Sequence, residues 1–341
     1  MFKNSYKMLF LFSLMLGTLI TISSTNWLSA WMGLEINLLS FIPLMNDNKN
    51  LMSTESSMKY FLVQAMASSI LLFIVIIYMM NSNFYSNFMN KNIYLNLLII
   101  STLMLKMGMA PFHFWFPNII EGLNWINSLI LLTWQKIAPL MLISFMNLNK
   151  IIIPMIIISM IMSAIGGLNQ TSLRKIMAYS SINHLSWMCA SMMLNESIWL
   201  NYFLFYSFLS LTLIYYFFIN KLYYMNQLYS NYNYSMEMKL ILFLNFLSLG
   251  GLPPFLGFYP KWMVIELMSM NQIFLISMMV MLTLLTLFFY IRMCYSSFLL
   301  NYYEIKWNNY INLNNKHYLY LFMSYISIFG LLLMNIFYFM F

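Results

Sequence analysis

Two apolar stretches, each interrupted by glycine and proline, constrain this chain more than any other feature. The first is LKMGMAPFHFWFPNIIE, Leu105 to Glu121, and the second is LGGLPPFLGFYPKW, Leu249 to Trp262. A displacement of 143 carries Gly108, Pro111, Phe112 and Pro117 onto Gly251, Pro254, Phe255 and Pro260 without a gap. Breaker and aromatic positions that match at one displacement mark an internal repeat. Each stretch extends over roughly thirty residues, where one straight spanning helix needs about twenty. A proline inside it removes a backbone donor and disturbs the preceding turn. The carbonyls so freed must find partners in protein or in a wet cavity. Paired, interrupted membrane segments at corresponding places in two halves point to a transport site.

The remainder of the chain belongs in the bilayer as well. Of its 341 residues, 62% are hydrophobic and only 7% charged, against about a quarter charged in a soluble domain. Hydrophobic windows give about eleven spans, at 8–24, 26–45, 55–80, 92–121, 124–146, 150–168, 173–194, 197–222, 238–268, 272–299 and 318–340. The expected fold is an all-α polytopic membrane protein, a single membrane domain over 1–341. The two interrupted spans lie five apart in this order, so they cross in opposite directions. That makes two inverted five-helix repeats, 8–146 and 150–299. The last helix, 318–340, stands outside the repeats and reads as peripheral, being poor in polar residues.

Charge orients the chain. With loops assigned alternately to the two sides, one side carries Lys3, Lys7, Lys49, Lys59, Arg174, Lys175, Lys221, Lys239, Lys306 and Lys316. The other carries Lys91 and Lys150. This asymmetry, rather than nucleic-acid binding, accounts for the net charge of +8. It places the N-terminus on the charge-rich side and Phe341 on the opposite one. The first apolar run lacks a cleavage pattern and reads as a span. Cys189 and Cys294 are isolated and match no metal or redox spacing.

Four basic residues, Lys106, Lys136, Lys261 and Arg292, and one acidic residue, Glu35, fall inside spans. Each costs about 2.5–3.5 kcal/mol on insertion scales, so an intramembrane charge is a functional hypothesis by default. As a set they suggest a proton or ion path. Glu35 and Lys106 form the natural pair; the plainer reading is a static salt bridge. A desolvated lysine can release its proton, whereas arginine keeps it. Lys136 has no acidic neighbour in sequence. Lys261 follows Pro260 and could equally anchor at the interface, and Arg292 reads as snorkelling. His184, among Ser180, Ser181, Asn183 and Ser186, is a relay or a hydrogen-bonded core group. The 36 methionines show no copper-site clustering.

Several segments resemble the chain 2 family of mitochondrial NADH–ubiquinone oxidoreductase, respiratory complex I, most of all its insect members. They are WMGLEINLLSFIPL, LKMGMAPFHFWFPNIIEGL, TWQKIAPL, IGGLNQTSLRKIMAYSSINHLSWM and FLSLGGLPPFLGFYPKW. The resemblance covers Asn26 to Arg292. It implies an antiporter-like, proton-pumping subunit of the inner mitochondrial membrane, with the charge-rich side in the matrix and Phe341 in the intermembrane space. It also implies that Glu35 is the acidic partner, Lys106 the broken-helix lysine, Lys136 the central lysine and Lys261 the lysine after the second break. Bacterial members carry extra N-terminal helices, so other subunits are expected to cover the exposed face of the first repeat.

Implied partners are other membrane and supernumerary complex I subunits and lipids such as cardiolipin. FMN, iron–sulfur clusters and ubiquinone belong to other subunits. No cofactor, metal or catalytic redox residue is expected on this chain, which lacks a dinucleotide fingerprint and a cluster-type cysteine set. Two other classes stay open on the residues alone: a stand-alone cation/proton antiporter and a scaffold whose charges are structural. The lack of an acidic residue at the second break speaks against a cation site there.

Overall fold

In lipid every backbone donor and acceptor must be satisfied within the chain, which leaves helices as the solution for a sequence of this composition. The computed structural model describes residues 5–47, 50–81, 93–146, 149–231, 236–270, 272–298 and 315–340. It is helical throughout, with one isolated bridge between Ser172 and Tyr224. Lys3, Lys49, Lys91, Lys306 and Phe341, used above for orientation, lie outside the described residues.

The chain divides into two compact units, Met1–Met155 and Ile156–Phe341. In the first, α1 (Ser5–Ser23) pairs with α2 (Trp27–Met45) through small residues. A Cβ on Gly33 would lie 2.9 Å from the Gly17 carbonyl oxygen, so the backbones touch. The long α3 (Leu51–Asn81) is followed by α4 (Ile93–Met107), α5 (Trp115–Gly122), α6 (Trp125–Leu132) and α7 (Trp134–Ser144). The polar edge is pinned by Lys7 and Asp47, 3.0 Å apart, and by Asn124 donating to Asp47.

The division falls within α8 (Asn149–Leu168). Beyond it come α9 (Leu173–Met192), α10 (Glu196–Asn220), α11 (Met225–Asn231), α12 (Met236–Gly250), α13 (Phe258–Ser269), α14 (Ile273–Phe298) and α15 (Asn315–Met340). α9 buries sixteen of its twenty residues although it is rich in serine. Those serines are self-satisfied. Ser180, Ser181, Ser186 and Ser191 each donate to the carbonyl three residues earlier. α15 is not peripheral, because Tyr320, Ser324 and Ser327 are buried.

Among the described residues, six segments are long and apolar enough to cross a membrane: Ser5–Ser23, Trp27–Met45, Leu51–Met80, Trp125–Ser144, Glu196–Asn220 and Ile273–Tyr295. The all-helical membrane fold holds; the figure of eleven spans remains a reading of hydropathy. Of the other expected spans, 92–121 and 238–268 hold interrupted helices, while 150–168, 173–194 and 318–340 hold the continuous helices α8, α9 and α15. The fifth expected span is broken at Thr133, between α6 and α7.

Candidate functional site: two helix breaks and their lysines

Both interrupted segments end their first helix in the same way. Gly108 has φ of 72° and Gly251 has φ of 81°, the left-handed region that favours glycine. Gly108 N donates to Leu105 O and Met109 N to Met104 O, both at 3.1 Å. Gly251 N donates to Ser248 O at 3.0 Å and Leu252 N to Leu247 O at 3.4 Å. Each set is a Schellman motif, with proline soon after it. The loops repeat too. Phe112 N to Met109 O matches Phe255 N to Leu252 O, and Phe116 N to His113 O matches Tyr259 N to Leu256 O. Pro111 and Pro254 lie within these loops, and the second helices begin at Trp115 and Phe258, again 143 apart.

Ending α4 at Met107 orphans its last carbonyls. Gln64 of α3 donates its Nε2 to Lys106 O, and Trp115 donates its Nε1 to Leu105 O, each at 3.1 Å. Lys106 is thereby fixed at the rim of the break, 8% exposed. On α7, Lys136 is 2% exposed. Its Nζ lies over the Phe116 ring, 5.1 Å from the centroid.

The two lysines line one cavity of about 20 Å³, together with Tyr60, Gln64, Phe116 and Gln135, which is room for about one water molecule. Asn37 also lines it. Asn37 Oδ1 and Gln135 Nε2 are buried without a hydrogen-bond partner. Orphaned polar atoms facing a water-sized space are the usual setting of a bridging water.

Glu35, half-buried on α2, forms no ion pair with Lys106 within 4 Å and acts on it only through space. The direct pair suggested by the sequence is therefore not made.

In the second unit Lys261 sits in the first turn of α13, 6% exposed, and its Nζ donates to Gly250 O at 2.7 Å. It is a buried group rather than an interfacial anchor. His184 is 5% exposed, with Nδ1 3.0 Å from the Tyr202 hydroxyl and its ring 5.0 Å from that of Tyr206. Arg292 is exposed, its nearest acceptor being Leu168 O at 3.5 Å, apart from the buried set.

Sequence reasoning missed Gln64, Phe116, Gln135 and Tyr202. Gln64 was detectable as a lone amide in an apolar span and Gln135 as an amide beside an intramembrane lysine; the aromatic groups were not, among 55 phenylalanines and tyrosines.

The chain was compared with known protein families, relatives and solved structures. Residues 24–286 match the family model described as NADH:quinone oxidoreductase/Mrp antiporter, and residues 287–338 match that of the NADH dehydrogenase subunit 2 C-terminus. The chain is 56% identical over 333 residues to NADH-ubiquinone oxidoreductase chain 2 of Anopheles gambiae, covering 97% of each. It is 58% identical over 336 residues to that of Aedes aegypti, again covering 97% of each. Among solved structures, a chain of respiratory complex I from Thermus thermophilus aligns with a TM-score of 0.78 at 17% identity, covering 95% of this chain and 77% of that one. A chain of the Mrp complex from a Dietzia species gives 0.72 at 15% identity, covering 84% and 59%.

Proposed function

Because the chain belongs to the NADH-ubiquinone oxidoreductase chain 2 family, we propose that its buried lysines carry protons across the inner mitochondrial membrane. It is an antiporter-like, multi-pass membrane subunit of complex I, and other complex I subunits are its partners. A stand-alone antiporter, left open by the residues, shares the matched family model, but the relatives that cover 97% of the chain are complex I subunits.

In this reading Lys106 and Lys136 exchange protons through the cavity they share. Glu35 tunes Lys106 from a distance, while Lys261 and His184 serve the second unit. The observation that carries the reading is the water-sized cavity between two buried lysines, walled by the unpaired Asn37 and Gln135 side-chain atoms. A lysine kept only for structure would be packed dry or tied directly to an acidic partner.

Electron transfer, with FMN, iron–sulfur clusters and ubiquinone, is assigned to other subunits, since two isolated cysteines cannot supply a cluster's four ligands. The reading also takes the N-terminus as facing the matrix, Phe341 as facing the intermembrane space, and supernumerary subunits and cardiolipin as further neighbours. Lys136→Leu tests the path. The complex should assemble but translocate fewer protons per electron pair. An unchanged ratio would remove Lys136 from the path.

A further inference from the structure

The two breaks repeat in their glycine turns and loop hydrogen bonds but not in what holds them. At the first, Gln64 and Trp115 donate to the freed carbonyls. The displacement of 143 puts Ser207 and Phe258 at those places in the second unit. Neither does the same work. Ser207 Oγ donates to Leu204 O within its own helix at 2.9 Å, and phenylalanine has no side-chain donor. A substitute comes from outside the repeat.

Ser327 of α15 grips both sides of the second break. Its hydroxyl is in hydrogen-bond reach of Asn245 Oδ1 on α12 and of Ser324 O in its own helix, and its backbone carbonyl accepts from Leu256 N in the loop at 3.3 Å. Asn245 Nδ2 donates to the Tyr320 hydroxyl at 2.9 Å, so both ends of one buried amide are tied to α15. Gly330 admits the loop, because a Cβ there would lie 2.1 Å from Leu256 Cδ1. Between Asn245 and Leu256 lies Gly250, whose carbonyl accepts from Lys261 at 2.7 Å.

We propose that α15 sets the second break, with Ser327, Asn245 and Tyr320 as positioning residues that hold the Gly250 carbonyl under Lys261; this rests on Lys261 belonging to the proton path. The first break is held by residues within its own repeat, the second by a helix added after it. Releasing Asn245 lets α12 shift against the loop, and the acceptor moves off the lysine. Misplacements of about 1 Å can slow a positioned step by up to about a hundredfold.

The test uses intact complex I. Tyr320→Phe with Ser327→Ala removes both side-chain bonds at nearly constant volume, Ser327→Thr keeps the hydroxyl, and Lys261→Gln is run in parallel. Assembled complex, NADH–quinone turnover and protons moved per electron pair are measured for each. The double variant should assemble and lose protons per electron pair, Ser327→Thr should retain them, and Lys261→Gln should lose them as well. If the double variant fails to assemble, Tyr320→Phe alone carries the same expectation. A normal ratio in the clamp variants beside a lowered one in Lys261→Gln overturns the clamp and leaves Lys261 in place. Less assembled complex at an unchanged ratio makes α15 a structural staple and overturns it too. A normal ratio in Lys261→Gln removes the path itself, and both claims fall.

Discussion

A lysine at the end of one helix and a lysine near the start of another share a space the size of a water molecule. At this scale the groups that matter carry no charge. Gln64 holds the carbonyl of Lys106, Phe116 offers its ring face to Lys136, and Gln135, its Nε2 unpaired, lines the same cavity. Leaving the Lys106 carbonyl buried without Gln64 costs about 1–3 kcal/mol. Gln64→Leu should therefore lower the thermal midpoint of the assembled complex, and an unaltered midpoint would show the carbonyl to be satisfied elsewhere. Gln135→Leu separates structure from function. Replacing an orphaned buried amide by an apolar group of similar size is close to neutral for stability. Proton translocation should nonetheless fall, because the cavity loses a polar wall. Unchanged translocation would leave Gln135 without a role in the path.

At the scale of elements, the Schellman turns at Met107 and Gly250 are where chain geometry becomes a site. A residue with a Cβ in the left-handed region costs about 1–2 kcal/mol. The space is also closed: a Cβ on Gly108 would lie 2.9 Å from Phe116 Cβ, and one on Gly251 3.0 Å from Lys261 Nζ. Gly251→Ala should disturb Lys261 directly, and should lower protons per electron pair more than NADH–quinone turnover; parallel losses would reduce the glycine to a folding role. These two turns were legible in the sequence, since glycine and proline write them locally. The break at Thr133 was not, because neither residue marks it. There Thr133 Oγ1 and N both bond Leu129 O, at 2.7 and 3.0 Å. The role of α15 was hidden for a different reason. Tyr320 and Ser327 look unremarkable in an apolar run, and their partner Asn245 is 75 and 82 residues away. Glu35 and Lys106 show the converse, since opposite charges in two spans suggested a contact that packing does not make.

For the whole molecule, we propose from the basic asymmetry and the hydropathy reading of eleven spans that the termini face opposite sides. Impermeant labelling of intact inner membranes should reach the C-terminal end from the intermembrane side, and the Arg174–Lys175 end of α9 only from the matrix. Both ends reacting on one side would refute the span count. The central claim is that Lys106 gives up a proton rather than merely carrying a charge. Lys106→Arg tests it most directly, because arginine keeps the charge and the length but does not deprotonate in proteins. The measurement is protons translocated per electron pair, alongside NADH–quinone turnover, in assembled complex I carrying this substitution. The relay predicts a complex that assembles and moves fewer protons for each pair of electrons. Normal turnover with a normal proton ratio would contradict it, and would make Lys106 a fixed structural charge.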